Sequence, residues 1–264
     1  MIDQIISSTL GSGAVSYLNY SHSLYNIVNS LLIANLCMIL LTDFTNLCVN
    51  REIEKLKHKL SQSISVMLIV LIPVTILTMC YSKEIVSIVY QRGAFTDESA
   101  QNVGILLFFY AIGFIPAMFN SIHTQVLHAF GSMKIAMRNS IISFGLNIIL
   151  SVILSRIVGI AGIALGTTIS VTSVIFIYKH SVDRYLPEYK LFENHKSIIK
   201  LAGASVVCVA IALVIKKLIG NILISFIGAT VLGFGMFVVT LILFKEENAI
   251  YIVDVLRRRK NAKA

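Results

Sequence analysis

The sequence contains no tryptophan, only three prolines, and only 13% charged residues in its 264 positions. A soluble domain is about 25% charged, so the polar surface needed to cover a water-soluble core of this size is missing. With so few prolines, long stretches are free to run as uninterrupted helix. The four cysteines (Cys37, Cys48, Cys80, Cys208) show neither CxxC nor CxxxH spacing. They lie in or beside apolar stretches, which excludes a disulfide framework and a zinc-finger type of site. The six histidines form no HExxH, and there is no GxSxG elbow, P-loop or dinucleotide fingerprint. An enzyme, a metal site and a cofactor are therefore not expected.

What is abundant is apolar: 56% of residues, with a mean hydropathy of +0.84. A membrane span needs about 20 mostly apolar residues. Seven stretches qualify: Tyr20–Asn46, Ser61–Ser82, Asn102–Leu127, Ile135–Ser155, Val158–Tyr178, Ser197–Ile215 and Ile222–Phe244. Runs such as Val66 to Ile72 do not alternate as barrel strands would, so the expected class is an all-α integral membrane protein. Pro73 and Pro116 fall inside spans and predict local kinks. Gly131, Gly159 and Gly220 mark turns, and Gly162 with Gly166 forms a GxxxG that admits a neighbouring helix at short range.

Assigning alternate connections to opposite sides puts 17 of the 22 Lys and Arg residues on one side and 5 on the other. Basic loops stay cytoplasmic, so the expected C-terminus is on the cytoplasmic side of the membrane and the first span enters from outside. The net charge of +9 thus reads as topology, and no nucleic-acid partner is expected. Residues 1–50 hold no Lys or Arg that would explain an external start, which predicts that further spans precede these in a longer protein. The expected organisation is five spans in residues 1–182, a cytoplasmic loop over 183–196, two spans over 197–246, and a basic tail over 247–264 against inner-leaflet lipid.

Polar groups at membrane depth are costly and tend to face a cavity or a partner. The first span carries Ser23, Asn26, Asn29 and Ser30 along one helical stripe, with His22 nearby. Shorter stripes lie at Asn120, Thr124 and His128, and at Asn139, Asn147 and Ser151. Each fits either a water-filled lumen or a hydrogen-bonded seam. Asp43 is either an ion or proton site or an acid at headgroup level beside Arg51.

Several stretches resemble the MurJ (MviN) family of lipid II flippases. They are Ile2–Ser8 followed by Gly13–Tyr20, then Ile85–Thr96 with its Arg92-Gly93-Ala94-Phe95, Phe109–Gly113, Leu127–Gly131, Asn147 and Gly159–Gly166. The resemblance implies a fourteen-helix fold of which this chain supplies the second lobe and a C-terminal helix pair. It also implies carriage of the undecaprenyl-linked peptidoglycan precursor, a saccharide lipid, from the inner to the outer leaflet of the bacterial plasma membrane by alternating access, together with a separately encoded N-terminal lobe. The implied substrate-binding residues are Ser16, Asn19, Tyr20, His22, Ser23 and Asn26. Family members typically follow the tyrosine with Ala-Asp-Arg-Leu, whereas this chain reads Ser21-His22-Ser23-Leu24. The family's acid and arginine are thus His22 and Ser23 here. That departure leaves open an exporter of another polyprenyl-linked saccharide, or a non-transporting remnant or scaffold.

Overall fold

The computed structural model describes residues 2–11, 13–190 and 195–246, and these are helical apart from short connections. α1 (Ile2–Ser8) leads into α2 (Ala14–Val28), a π-helical segment (Asn29–Ala34) and α3 (Asn35–Val49), which run on as a single rod. α4 (Ile53–Cys80) is followed by the short α5 (Ser82–Tyr90), then α6 (Asp97–Ile112) and α7 (Phe114–Ala129). α8 (Met133–Val158), α9 (Ala161–Ser173) and α10 (Ile175–Asp183) precede the final pair, α11 (His195–Leu218) and α12 (Ile222–Leu243). Among the described residues, six helical stretches are long and apolar enough to cross a membrane, and a seventh is the bent pair α6–α7. The predicted tail over 247–264 and part of the 183–196 loop lie outside the described residues.

Helix boundaries follow local chemistry. Thr96 caps α6 by accepting from the Ser99 amide at 3.2 Å, with Asp97 and Glu98 in the first turn, where acids meet the positive end of the helix dipole. The Asn221 carboxamide caps α12 by accepting from the Leu223 and Ile224 amides at 3.1 and 3.2 Å. Gly159 takes φ +66°, a conformation closed to most side chains, and turns α8 back against α9.

That hairpin is held tight by glycine. A methyl group at Gly162 would collide with the Leu154 carbonyl, and one at Gly166 would come within 2.7 Å of the Ser151 amide nitrogen. The predicted close approach at the GxxxG is therefore with α8. α4 is the hub, packing against α3, α5, α6, α7, α11 and α12. The main apolar core joins its Leu60, Ile64, Leu68 and Leu71 to Phe114 and Met118 of α7 and to Cys208 and Phe237 of the last pair.

The two proline expectations resolve differently. α4 runs unbroken through Pro73. The third span bends by 44° between α6 and α7, at Gly113 and not at Pro116 itself. Pro116 has no N–H for the Ile112 carbonyl one turn back, so the ladder fails upstream of the ring. There the Gly113 amide turns to the Tyr110 carbonyl at 2.9 Å, and the Thr168 hydroxyl of α9 donates to the Phe109 carbonyl at 2.8 Å.

At one end of the bundle the last pair is fastened by buried Tyr81. Its hydroxyl donates to the Ala212 carbonyl at 3.1 Å and lies 3.0 Å from the Ser225 hydroxyl. Lys216 lies over the Tyr81 ring, 5.2 Å from its centroid. The same ammonium donates to the Cys80 carbonyl at 2.6 Å and pairs with Glu84 at 2.8 Å. At the opposite end Glu246, 3% exposed, accepts from Ser197 at 2.8 Å and pairs with Lys200 at 3.3 Å.

Candidate functional site

α2 is built with two unlike sides. Leu18 and Leu24 are buried among Val103, Leu106 and Leu107 of α6, which fixes the rotation of the helix. Ser21 goes inward with them and returns its hydroxyl to the Leu18 carbonyl at 3.0 Å. That rotation leaves Ser16, Asn19, Tyr20, His22, Ser23, Asn26 and Ser30 all exposed. At about 100° per residue these positions share one broad face, with His22 at one margin and Tyr20 at the other. Within the described chain no helix packs over it, and only single side chains of α1, α5 and the α5–α6 connection touch it.

Each predicted residue has a definite local setting. Asn19 accepts from Gln4 of α1 at 3.0 Å, and Ser23 donates to the Asn19 carbonyl at 2.8 Å. The Asn26 amide lies 3.0 Å from His22 Nδ1, and the His22 ring sits beside Tyr25 and Tyr110 at 5.9 and 6.0 Å. Tyr20 packs against Tyr90 of α5 at 4.8 Å and against Phe95 at 5.3 Å. The face is thus a row of neutral donors and acceptors flanked by aromatic rings. It contains no lysine, arginine or carboxylate, so it can hydrogen-bond a polar head but cannot by itself neutralise an anion.

The other stripes part company. Asn139 donates to Ser181 at 3.0 Å and Asn147 to Thr167 at 2.9 Å, while Ser151 faces Gly166 across the tight hairpin. The α8 row is therefore paired with α9 and α10, with Asn147 and Thr167 also bordering an open pocket. On α7, Asn120 donates to the Val171 carbonyl at 2.7 Å, while its carbonyl oxygen is buried without a partner. That row borders an open cleft rather than a closed seam.

Asp43 pairs with Lys59 of α4 at 2.9 Å, both side chains being about 40% exposed. A second acid is Asp3 of α1, on a helix packed against α2 and α8, with a buried carboxylate oxygen directed at Ser151 of α8. Only its spacing from a distant span identifies it, and no local pattern carries that. His123 of α7 is fully buried, 2.6 Å from the Phe119 carbonyl. Among the described residues no His, Cys, Asp or Glu cluster could hold a metal.

Fold and face together define a polytopic, all-helical membrane protein with a polar wall left uncovered. The family model described as lipid II flippase MurJ matches residues 1–243. A probable lipid II flippase MurJ from Thermotoga maritima is 28% identical over 236 residues, 88% of this chain and 47% of that protein. One from Rickettsia prowazekii is 27% identical over 169 residues, 64% of this chain and 33% of that protein. Among solved structures, a lipid II flippase MurJ in an inward closed conformation has the same fold, with a TM-score of 0.80 at 21% identity over 93% of this chain and 50% of that one. A MOP superfamily transporter from Pyrococcus furiosus follows at 0.61 and 16% identity, over 91% of this chain and 58% of that one. The chain belongs to the lipid II flippase MurJ family. It spans about a third to a half of the length of these curated relatives.

Proposed function

We propose that this chain is the second-lobe portion of a lipid II flippase, a transporter and not a catalyst, with its C-terminus in the cytoplasm. In this reading residues 1–182 form the lobe and residues 197–246 the attached helix pair, joined by a cytoplasmic loop. The exposed face of α2 (Ser16, Asn19, Tyr20, His22, Ser23 and Asn26) is one wall of the passage for the sugar-diphosphate head. A separate N-terminal lobe supplies the other wall and the cations. The single observation that carries this reading is the uncovered hydrogen-bonding face on a helix of membrane length. Such a face is costly against lipid and is retained where water or a polar head meets it. Outward movement of an anionic head is assisted by an inside-negative potential, by about 2.3 kcal/mol per charge per 100 mV. His22 and Ser23, standing where the resemblance expects an acid and an arginine, favour a second reading in which the cargo is another polyprenyl-linked saccharide.

The test is complementation of a flippase-depleted bacterial strain by this chain, alone and with a MurJ first lobe. Growth is expected only with the first lobe present. Failure in both arms at normal membrane levels overturns the lipid II reading.

A further inference from the structure

Along α7 and α8 lie two adjoining open pockets of about 400 and 360 Å³, the first bordered by α3 and the second by the π-helical segment and α9, each within the usual size of a small-molecule site. They share four lining residues: Asn120, Ser121, Ser140 and Tyr178. Ser143 and Phe144 extend the second. None of the residues lining either pocket carries a carboxylate, an ammonium or a guanidinium. The second pocket reaches Asn29 at the far end of the first span's polar stripe, and polar side chains, not methyl groups alone, line both pockets. Its groups are held in place: the Ser140 hydroxyl lies 3.1 Å from the Tyr178 hydroxyl, and Asn120 is anchored through its amide to the Val171 carbonyl. The Asn120 carbonyl oxygen is left buried with no partner in the protein, a cost that a ligand donor removes.

The chemistry of the lining selects among the parts of a polyprenyl-linked head. A diphosphate needs cations, and Arg is its natural partner; the cleft has none. A sugar presents hydroxyls that both donate and accept, which matches serine and tyrosine hydroxyls and a carboxamide. Sugars also have apolar C–H faces, which aromatic rings such as Phe144 and Tyr178 can cover. Resting on the flippase reading above, we infer that this cleft along α7 and α8 is a binding subsite for the uncharged saccharide portion of the transported lipid, distinct from the place where its diphosphate is held.

The absence of tryptophan supplies a clean reporter. Phe144 lines the cleft and is 58% exposed, so Phe144→Trp places a lone indole there with room to fit. The full chain carrying this change, purified in nanodiscs, is titrated with chitobiose, inorganic pyrophosphate and a neutral tripeptide amide. Concentrations rise to about 50 mM, beyond the millimolar Kd of a weak complex. The expected result is a saturable emission change with chitobiose alone, weakened at least fivefold by added Asn120→Leu or by Ser143→Leu, which fills the cleft. Two cleft variants are used so that a folding defect in one leaves the other decisive. No saturable response to chitobiose overturns the inference. So does an equal response to pyrophosphate or peptide, or chitobiose binding unchanged in a folded cleft variant. Sugar binding without complementation would sink the flippase reading alone, and complementation without sugar binding would sink this subsite alone.

Discussion

At the scale of single residues, the glycines of α9 carry a stability argument that the sequence already contained. Gly162 and Gly166 are four apart on one helix face, and that spacing alone announced a close neighbour; the structure adds that the neighbour is the backbone of α8. Backbone cannot swing aside as a side chain can, so a larger residue must push two helices apart. Gly166→Val is expected to lower stability by roughly 3 kcal/mol, the upper part of the range for overpacking. Gly235→Ala, where an added methyl meets nothing within 4 Å, should be close to neutral. Thermal unfolding of both variants in detergent checks the contrast, and equal midpoints would refute it. By comparison, Asp43 could be recognised as an acid beside apolar sequence, but its partner could not. Lys59 reaches it only because the α3–α4 turn brings the two helices alongside, and no periodicity within either helix encodes that.

At the scale of elements, the spans were legible because apolar length is a property of a local window, whereas the details that join them are set by contacts between windows. The third span shows this. Pro116 predicted a disturbance, but the bend centres on Gly113 because the carbonyls that lose donors lie upstream of the ring. The Phe109 carbonyl, which loses the Gly113 amide to Tyr110, is satisfied by the Thr168 hydroxyl of α9, and Thr168 is 6% exposed. In a membrane no water can take that role. Thr168→Val keeps the shape, removes the donor and leaves a buried carbonyl unpaired, so it should destabilise the protein by about 1–3 kcal/mol. Thr168→Ser should retain most of the stability. Unfolding of the two variants side by side separates loss of the hydrogen bond from loss of volume, and equal losses would refute this account of the bend. The π-helical segment Asn29–Ala34 had no such signal, because it contains neither proline nor glycine and its residues are ordinary helix formers or neutral amides.

At the scale of the whole molecule, the question is what the uncovered face of α2 meets. The sequence showed a polar stripe but not its direction, since a lumen and a seam require the same residues at the same spacing. The structure separates the cases: the α8 stripe is paired with α9 and α10, while the α2 face remains open. Ser23 is the position from which to probe it, because it is exposed and its one hydrogen bond is to its own helix. An arginine facing lipid costs about 2.5–3.5 kcal/mol at the centre of a span and less toward its end, where Ser23 stands, and little if it faces water. Ser23→Arg should therefore insert and fold at the level of the parent chain. Expressed with a MurJ first lobe, it should speed growth of a flippase-depleted strain by adding the planar donor that a diphosphate prefers. Reduced membrane levels of Ser23→Arg would mean that the face lies against acyl chains. Normal levels with no gain in growth would mean that the wall is wet but that the diphosphate is held by cations elsewhere. Either outcome would remove Ser23 from the transport path.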